Sequence, residues 1–157
     1  MVNEKDYNTA RQYLQEHNVL CLATSANDKP WVAPVFYTVL ADKLVFLSSP
    51  HTLHCRNIAS NPQVSASVQE DYSDWTEIKG IQLQGCVNAV DNANRETVIH
   101  AYSEKFPVTG SNAPPEIEKA LEKISWFEIS VQKLLFIDNS KGLGNRVELD
   151  PVHLFSI

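Results

Sequence analysis

The chain has no apolar run of membrane-spanning length, no cysteine pair and no excess of basic charge. Each absence closes off a class of protein. A spanning helix needs about 20 successive apolar residues. The first residues, MVNEKDYN, are polar and acidic and do not read as a secretory signal. Cys21, Cys55 and Cys86 are odd in number and widely separated, without a CxxC motif. Reduced thiols in a cytoplasm are the simplest account of them, so a cytoplasmic location is expected. The net charge of −6 argues against a chain built to grip nucleic acid or an anionic membrane. A small anionic ligand stays open, because its binding depends on local donors. No GxSxG, no HExxH and no carboxylate pair of readable spacing is present, which leaves hydrolase chemistry without a carrier. No repeat, linker or low-complexity tract interrupts the chain.

What is present is a composition for one soluble domain over residues 1–157, with 43% hydrophobic and 20% charged residues. Residues 4–17 pattern as an amphipathic helix with Tyr7, Ala10 and Leu14 on one side. Val19 to Ala26 reads as a strand, Asn27-Asp28-Lys29-Pro30 as a turn, and Trp31 to Leu40 as a second strand. Pro34 removes a ladder donor there and points to an edge or a bulge. Ala41-Asp42-Lys43 reverses the chain into a third strand and so predicts a hairpin. After a helix at Pro50 to Ser60, Val64 to Val68 alternates as a half-buried strand, and Gln69 to Glu77 is an acidic loop. Ile78 to Val90 is a long strand in which Gly80 and Gly85 predict bulges or close approaches. Helices at about Asn94 to Lys105 and Pro115 to Ile124 carry the apolar stripes Val98, Tyr102, Phe106 and Ile117, Leu121, Ile124. Ser125 to Ile137 is a final strand, followed by a glycine-containing tail. Six strands joined early by short turns fit a mainly β antiparallel barrel with added helices, not a parallel βαβ sheet.

The stretch Leu44–Val68, LVFLSSPHTLHCRNIASNPQVSASV, organises the rest. A strand runs into hydroxyls and histidines that open a short helix. A helix start presents unpaired N–H groups and the positive end of the dipole, which suits a phosphate. Ser48, Ser49 and Thr52 add donors, Ser49 with Pro50 reads as N-cap and first helical position, and Arg56 follows one turn later. Two readings compete: an anion site, or hydroxyls that only cap the helix.

These elements resemble the pyridoxamine 5′-phosphate oxidase-like, FMN-binding split-barrel superfamily. The resemblance rests on LATSANDKPWVAPVFYTV, on Phe46-x-Ser48-x3-Thr52-x-His54-x3-Ile58-x2-Asn61-Pro62, and on Ile81 to Val87 with Gly85. It implies a six-stranded antiparallel split barrel, a homodimer, and FMN in a groove between subunits. It also implies an oxidoreductase, with NAD(P)H or a small molecule as redox partner. Carried over residue by residue, Ser48, Ser49, Thr52 and His54 fall on phosphate-binding positions, with Arg56 as a compensating cation. Pro34, Val35 and Phe36 fall where the backbone of the second strand would border the flavin ring, and Lys79 and Gln82 would supply a polar contact to the ring or ribityl chain.

The departures are informative. Ala33 replaces a common arginine, and Leu53-His54 replaces a basic pair. The oxidases' C-terminal Arg-Leu-His motif is absent, and Arg146-Val147-Glu148 is no substitute, so pyridoxamine phosphate oxidation itself is not expected. The alternative from another class is a non-catalytic carrier or sensor of flavin or haem, with His51, His100 or His153 as ligands. A further reading is a structural dimer whose site has decayed. His51, His54 and Cys55 share a helical face and raise a metal reading, but no second cluster completes a tetrahedral site. Cys55 reads as an inert buried thiol or, at the helix start, a reactive one. Trp31, Trp75 and Trp126 are core or dimer contacts by default, and the Trp75 loop could form a lid. Lys141 to Gly144 lacks the context of a dinucleotide fingerprint. It reads as a flexible tail or as a flap over a cofactor edge.

Overall fold

A computed structural model describes residues 2–156. Helix α1 (Glu4–Glu16) starts at a capping box in which Asn3 and Asp6 satisfy each other's backbone N–H. It buries Ala10, Tyr13 and Leu14 against the barrel. Strands β1 (Val19–Ala26), β2 (Lys29–Leu40) and β3 (Lys43–Ser48) form an antiparallel meander. Asn27 and Asp28 both take positive φ in the β1–β2 turn, as a two-residue hairpin of matching twist requires. Helix α2 (Leu53–Ser60) leads to β4 (Gln63–Gln69), β5 (Lys79–Ala89), α3 (Arg95–Lys105) and α4 (Pro115–Leu121). Strand β6 (Ser125–Asp138), β7 (Arg146–Leu149) and α5 (Pro151–Phe155) complete the described chain.

The sheet order is β3-β2-β1-β4-β5-β6-β7, and β3 also pairs with β6. That pairing closes strands β1 to β6 into the antiparallel barrel expected from the sequence. Leu20, Leu22, Tyr37, Leu44, Phe46, Val68, Ile81 and Leu83 point inward. A second, smaller core forms outside the barrel, where Val98 and Tyr102 of α3 meet Val45 and Trp126.

The close approaches expected at Gly80 and Gly85 are met, and the expectation of a loose tail needs correction. The bulge at Gly85 takes its extra residue from the partner strand: Gln84 pairs with Lys133 but Gly85 with Val131, so Gln132 is the inserted residue. One inserted residue reverses the alternation of β6, which faces Phe127 and Ile129 inward before it and Leu134 and Phe136 after it. Gly85 permits the kink, since a Cβ there would stand 2.6 Å from the Ser130 carbonyl oxygen. The tail is not a loose segment. β7 pairs with residues 134–137 of β6, and α5 returns to α1, where Arg11 Nε donates to the Leu154 carbonyl at 2.8 Å. Lys141 Nζ lies 2.8 Å from the buried Asp6 carboxylate and pins the turn between β6 and β7 to α1.

Candidate functional site

The α2 start is built differently from the expectation at one point. Thr52, not Ser49, is the N-cap, and the helix begins at Leu53. Ser49 and Pro50 form the preceding turn, closed by the Thr52 N–H on the Ser49 carbonyl at 3.1 Å. Thr52 Oγ1 accepts the Cys55 N–H at 3.4 Å and donates to the Ser49 carbonyl at 2.9 Å. The Ser49 hydroxyl accepts the His51 N–H at 3.4 Å. Capping alone therefore occupies part of this hydroxyl set. The Leu53 and His54 N–H groups lack an intrahelical acceptor, and the first turn carries no acidic residue.

Ser48, Thr52 and His54 converge. His54 Nε2 sits 2.7 Å from Ser48 Oγ and 3.1 Å from Thr52 Oγ1, and the two hydroxyl oxygens are 3.4 Å apart. The helix is held in this phase from its other flank by Asn57, which donates to the buried Thr24 hydroxyl of β1 at 3.1 Å. Ser48 and His54 are buried and Thr52 is half-buried. Burial pushes the His54 pKa below its usual 6.5, so the ring is neutral at pH 7. The site is thus rich in donors and poor in fixed charge.

Beside it lies a gap in the barrel wall. β2 changes partner along its length: residues 29–36 pair with β1, and residues 37–40 pair with β3. The Tyr37 N–H goes to the Asn18 carbonyl. By strand alternation the Pro34 nitrogen then faces the side that β3 has left, where its missing proton costs no ladder bond. This meets the edge expectation for Pro34. Val35 points inward into the core, so only Pro34 and Phe36 present side chains outward. Phe36 is 55% exposed, an unusual placement for a phenyl ring on a strand.

The other proposed contacts are not brought to this point within one chain. Arg56 is exposed and its guanidinium donates to the His51 carbonyl at 3.0 Å. It borders a cavity of about 410 Å³ with Pro50, Cys55 and Val87 on the other flank of α2. Lys79 lies eight residues along β5 from Val87, about 26 Å away at strand rise. Gln82 lies on the outer face, in an open groove of about 450 Å³ with Cys21, Ser65, Ser67 and Lys133. Cys55 is buried. No group of three metal-ligating side chains occurs among the described residues. Trp126 is a core residue, and Trp31 and Trp75 are 47% and 77% exposed in the single chain. Trp75 stands at the tail turn, where Asn139 Nδ2 donates to its carbonyl at 2.8 Å. The Asn139–Asn145 segment therefore contacts the acidic loop.

Sequence reasoning missed Lys105. Its ammonium reaches the His17 carbonyl at 2.5 Å and lies 4.6 Å from the Tyr37 ring centroid, where β2 changes partner. Burial lowers its pKa. A lysine in the last turn of an amphipathic helix reads as solvated, and no sequence signal separated this one. As a donor set, the first-turn N–H groups of α2 with the Ser48 hydroxyl fit a phosphate monoester, and Thr52 would join them by releasing the Ser49 carbonyl. The open edge and exposed ring of β2 fit a flat heteroaromatic group beside it. No helix among the described residues is long and apolar enough to cross a membrane.

The profile of the family described as Pyridoxamine 5′-phosphate oxidase matches residues 8–138. A UPF0306 protein of Photorhabdus laumondii is 26% identical over 145 residues, which cover 91% of this chain and 94% of that protein. A UPF0306 protein of Yersinia pseudotuberculosis is 23% identical over 154 residues, covering 97% and 98%. Among solved structures, a haem binding protein from Mycobacterium smegmatis superposes with TM-score 0.78 at 20% identity, over 99% of this chain and 62% of that one. HutZ from Vibrio cholerae, described as a haem storage protein, superposes with TM-score 0.66 at 24% identity, over 85% and 94%. A FAD-binding protein from Mesorhizobium loti gives 0.65 at 19% identity, over 85% and 92%. At these identities the structural matches establish the split-barrel fold.

Proposed function

The chain belongs to the pyridoxamine 5′-phosphate oxidase family, and from that premise we propose that it is an FMN-binding flavoprotein that acts as an oxidoreductase in a homodimer. The observation that carries this reading is the convergence of Ser48, Thr52 and His54 at the α2 start beside the half of β2 that pairs with β1 alone. The hydroxyls and helical N–H groups would hold the phosphate, and Pro34 and Phe36 would border the flavin ring. When bound, FMN supplies the electron-transfer chemistry, and the protein sets orientation and access. Lys79 and Gln82 pair with Asp138 and Leu135, ten or more residues along β6 from Ser125, the partner of Ser48, so they lie away from this site within one chain. A contribution from them requires a second copy, which the exposed Trp31, Val32 and Phe36 would help to cover. Pyridoxamine phosphate is not the substrate in this reading, since the C-terminal stretch offers Arg146-Val147-Glu148 in place of the oxidase motif. NAD(P)H or another small molecule would be the redox partner.

The second reading is a carrier or sensor of flavin or haem. Its support is the low fixed charge of the phosphate site, together with haem-related descriptions among proteins of the same fold. His54 is engaged with Ser48 and Thr52, which leaves His51 and His100 as the accessible rings. His153 is bound to Glu4 at 2.9 Å. Purification, a visible spectrum and mass identification of any released ligand separate these readings. Yellow protein releasing FMN, bleached anaerobically by NADH or NADPH, supports the enzyme. Bound flavin that no donor bleaches supports the carrier. Colourless protein that fails to take up added FMN defeats the flavin reading.

A further inference from the structure

The cavity of about 410 Å³ beside α2 lies between that helix, the end of β5 and the start of β6. Its size falls within the roughly 300–1,000 Å³ common for ligand sites. The floor is apolar: Cys55, Ile58, Val87 and Phe127 line it, and each is at most 8% exposed. Cys55, Ile58 and Ala59 share one face of α2, and Val87 and Phe127 point inward from their strands. Phe127 stacks on Phe46 with ring centroids 5.2 Å apart, which fixes its ring as a wall. At the mouth stand two exposed polar side chains, Arg56 and Asn88. Arg56 is the one charged side chain of the lining, and it is anchored without being neutralised. Nη1 donates to the His51 carbonyl at 3.0 Å, while Nε and Nη2 have no acceptor among the described residues. No described carboxylate forms an ion pair with it, although the chain carries 19 acidic residues. The free Nε–Nη2 edge is a side of the fork that takes a carboxylate by two parallel hydrogen bonds.

We propose that this cavity binds a small monocarboxylic acid with a compact apolar body, its carboxylate on the Arg56 fork and its body against Ile58, Val87 and Phe127. The buried floor selects the body, since it offers neither a charge nor a strong hydrogen-bond partner to a polar one. The head is selected by the fork. A neutral molecule of the same shape forgoes the charge-assisted pair, and a cation is repelled. One guanidinium matches one negative charge, whereas a phosphate monoester brings nearly two to a mouth with no second cation. Ser48, Thr52 and His54 take no part, so the cavity stands whether or not flavin binds at the α2 start. Arg56 serves it in place of the phosphate role expected from the sequence.

The test is carbon-13 methyl NMR of the full chain titrated with 3-phenylpropanoate. Saturable shifts of the Ile58 and Val87 methyls are expected. Three compounds with a matching phenyl body change the head: 3-phenylpropan-1-ol is neutral, 3-phenylpropylamine is cationic and 2-phenylethyl phosphate carries nearly two negative charges. The alcohol and the amine should bind about tenfold more weakly or worse, and the phosphate no more tightly than the acid. Arg56→Leu should weaken the acid by about tenfold and leave the alcohol unchanged. Arg56 is exposed, so this contrast does not depend on core packing. Ala59→Phe, also at an exposed position of the lining, should fill the space and abolish the shifts with every compound. Equal binding of the alcohol or the amine, or tighter binding of the phosphate, overturns the carboxylate class. An acid titration unchanged in Arg56→Leu overturns the role of the fork. Absence of shifts at Ile58 and Val87 overturns the cavity. FMN that displaces the acid mole for mole overturns it too, because Arg56 then belongs to the phosphate site.

Discussion

Thr52→Ala separates the two roles open to the α2 start, because capping and phosphate binding predict different losses. Thr52 Oγ1 accepts the Cys55 N–H at 3.4 Å and touches His54 Nε2 at 3.1 Å. Loss of an N-cap costs about 1 kcal/mol, which at this chain length lowers Tm by roughly 2–4 °C. If the hydroxyl hydrogen leaves the Ser49 carbonyl for a phosphate when FMN binds, Thr52→Ala costs FMN binding a charge-assisted hydrogen bond of about 1.5–3 kcal/mol. That corresponds to an affinity loss of about 10- to 140-fold. Thermal unfolding without ligand reads the first effect, and titration by quenching of FMN fluorescence reads the second. Thr52→Ser should restore both. A Thr52→Ala protein with the lower Tm and an unchanged FMN affinity would refute the phosphate role and leave Thr52 as a cap alone.

Gly85→Ala forces a methyl to 2.6 Å from the Ser130 oxygen and 2.9 Å from Ile129 Cγ2. It should cost the upper part of the roughly 1–3 kcal/mol seen for overpacking, and an unchanged urea midpoint would show that the β6 bulge simply yields. His54 has a folded pKa below its unfolded value, so the unfolded chain binds the extra proton. Stability in the flavin-free protein should therefore fall as pH drops below about 6.5. His54→Gln keeps a polar partner for Ser48 without a titrating group and should flatten that slope; an identical slope contradicts the assignment. Lys141→Met leaves the buried Asp6 and Asp138 without their cation. Because Lys141 is 37% exposed, the cost should be about 1–2 kcal/mol, less than the 3–5 of a fully buried pair. The hydrogen bond from Lys141 lowers the Asp6 pKa, so this difference should be full above about pH 4 and vanish in acid. Equal stability of the variant and parent at pH 7 would remove the latch.

The barrel was legible because its strands are long, alternate clearly and are joined by turns of specific chemistry. Val19–Ala26 and the hairpin at Ala41-Asp42 stand in the structure as the sequence implied. β7 was not legible: four residues, Arg146 to Leu149, are too few to show a period, and their pairing with β6 is a tertiary event. The α2 start was off by three residues because Ser49-Pro50 and Thr52 are both adequate local caps. Packing of His54 on Ser48 and of Asn57 on Thr24 decides between them, and neither contact is encoded locally. Strand parity sets Phe36 outward because packing buries Tyr37, and that packing is not encoded locally. The stripe Ile117, Leu121, Ile124 was visible as a period, yet periodicity cannot tell a packed face from a cavity wall.

A phosphate clamp at the α2 start should distinguish FMN from riboflavin. Both carry the same ring and ribityl chain, and only FMN carries the phosphate. FMN should bind at least tenfold more tightly than riboflavin, about 1.4 kcal/mol or more. Equal affinities would contradict it, since the grip would then fall on the ring alone and Ser48, Thr52 and His54 would be structural groups.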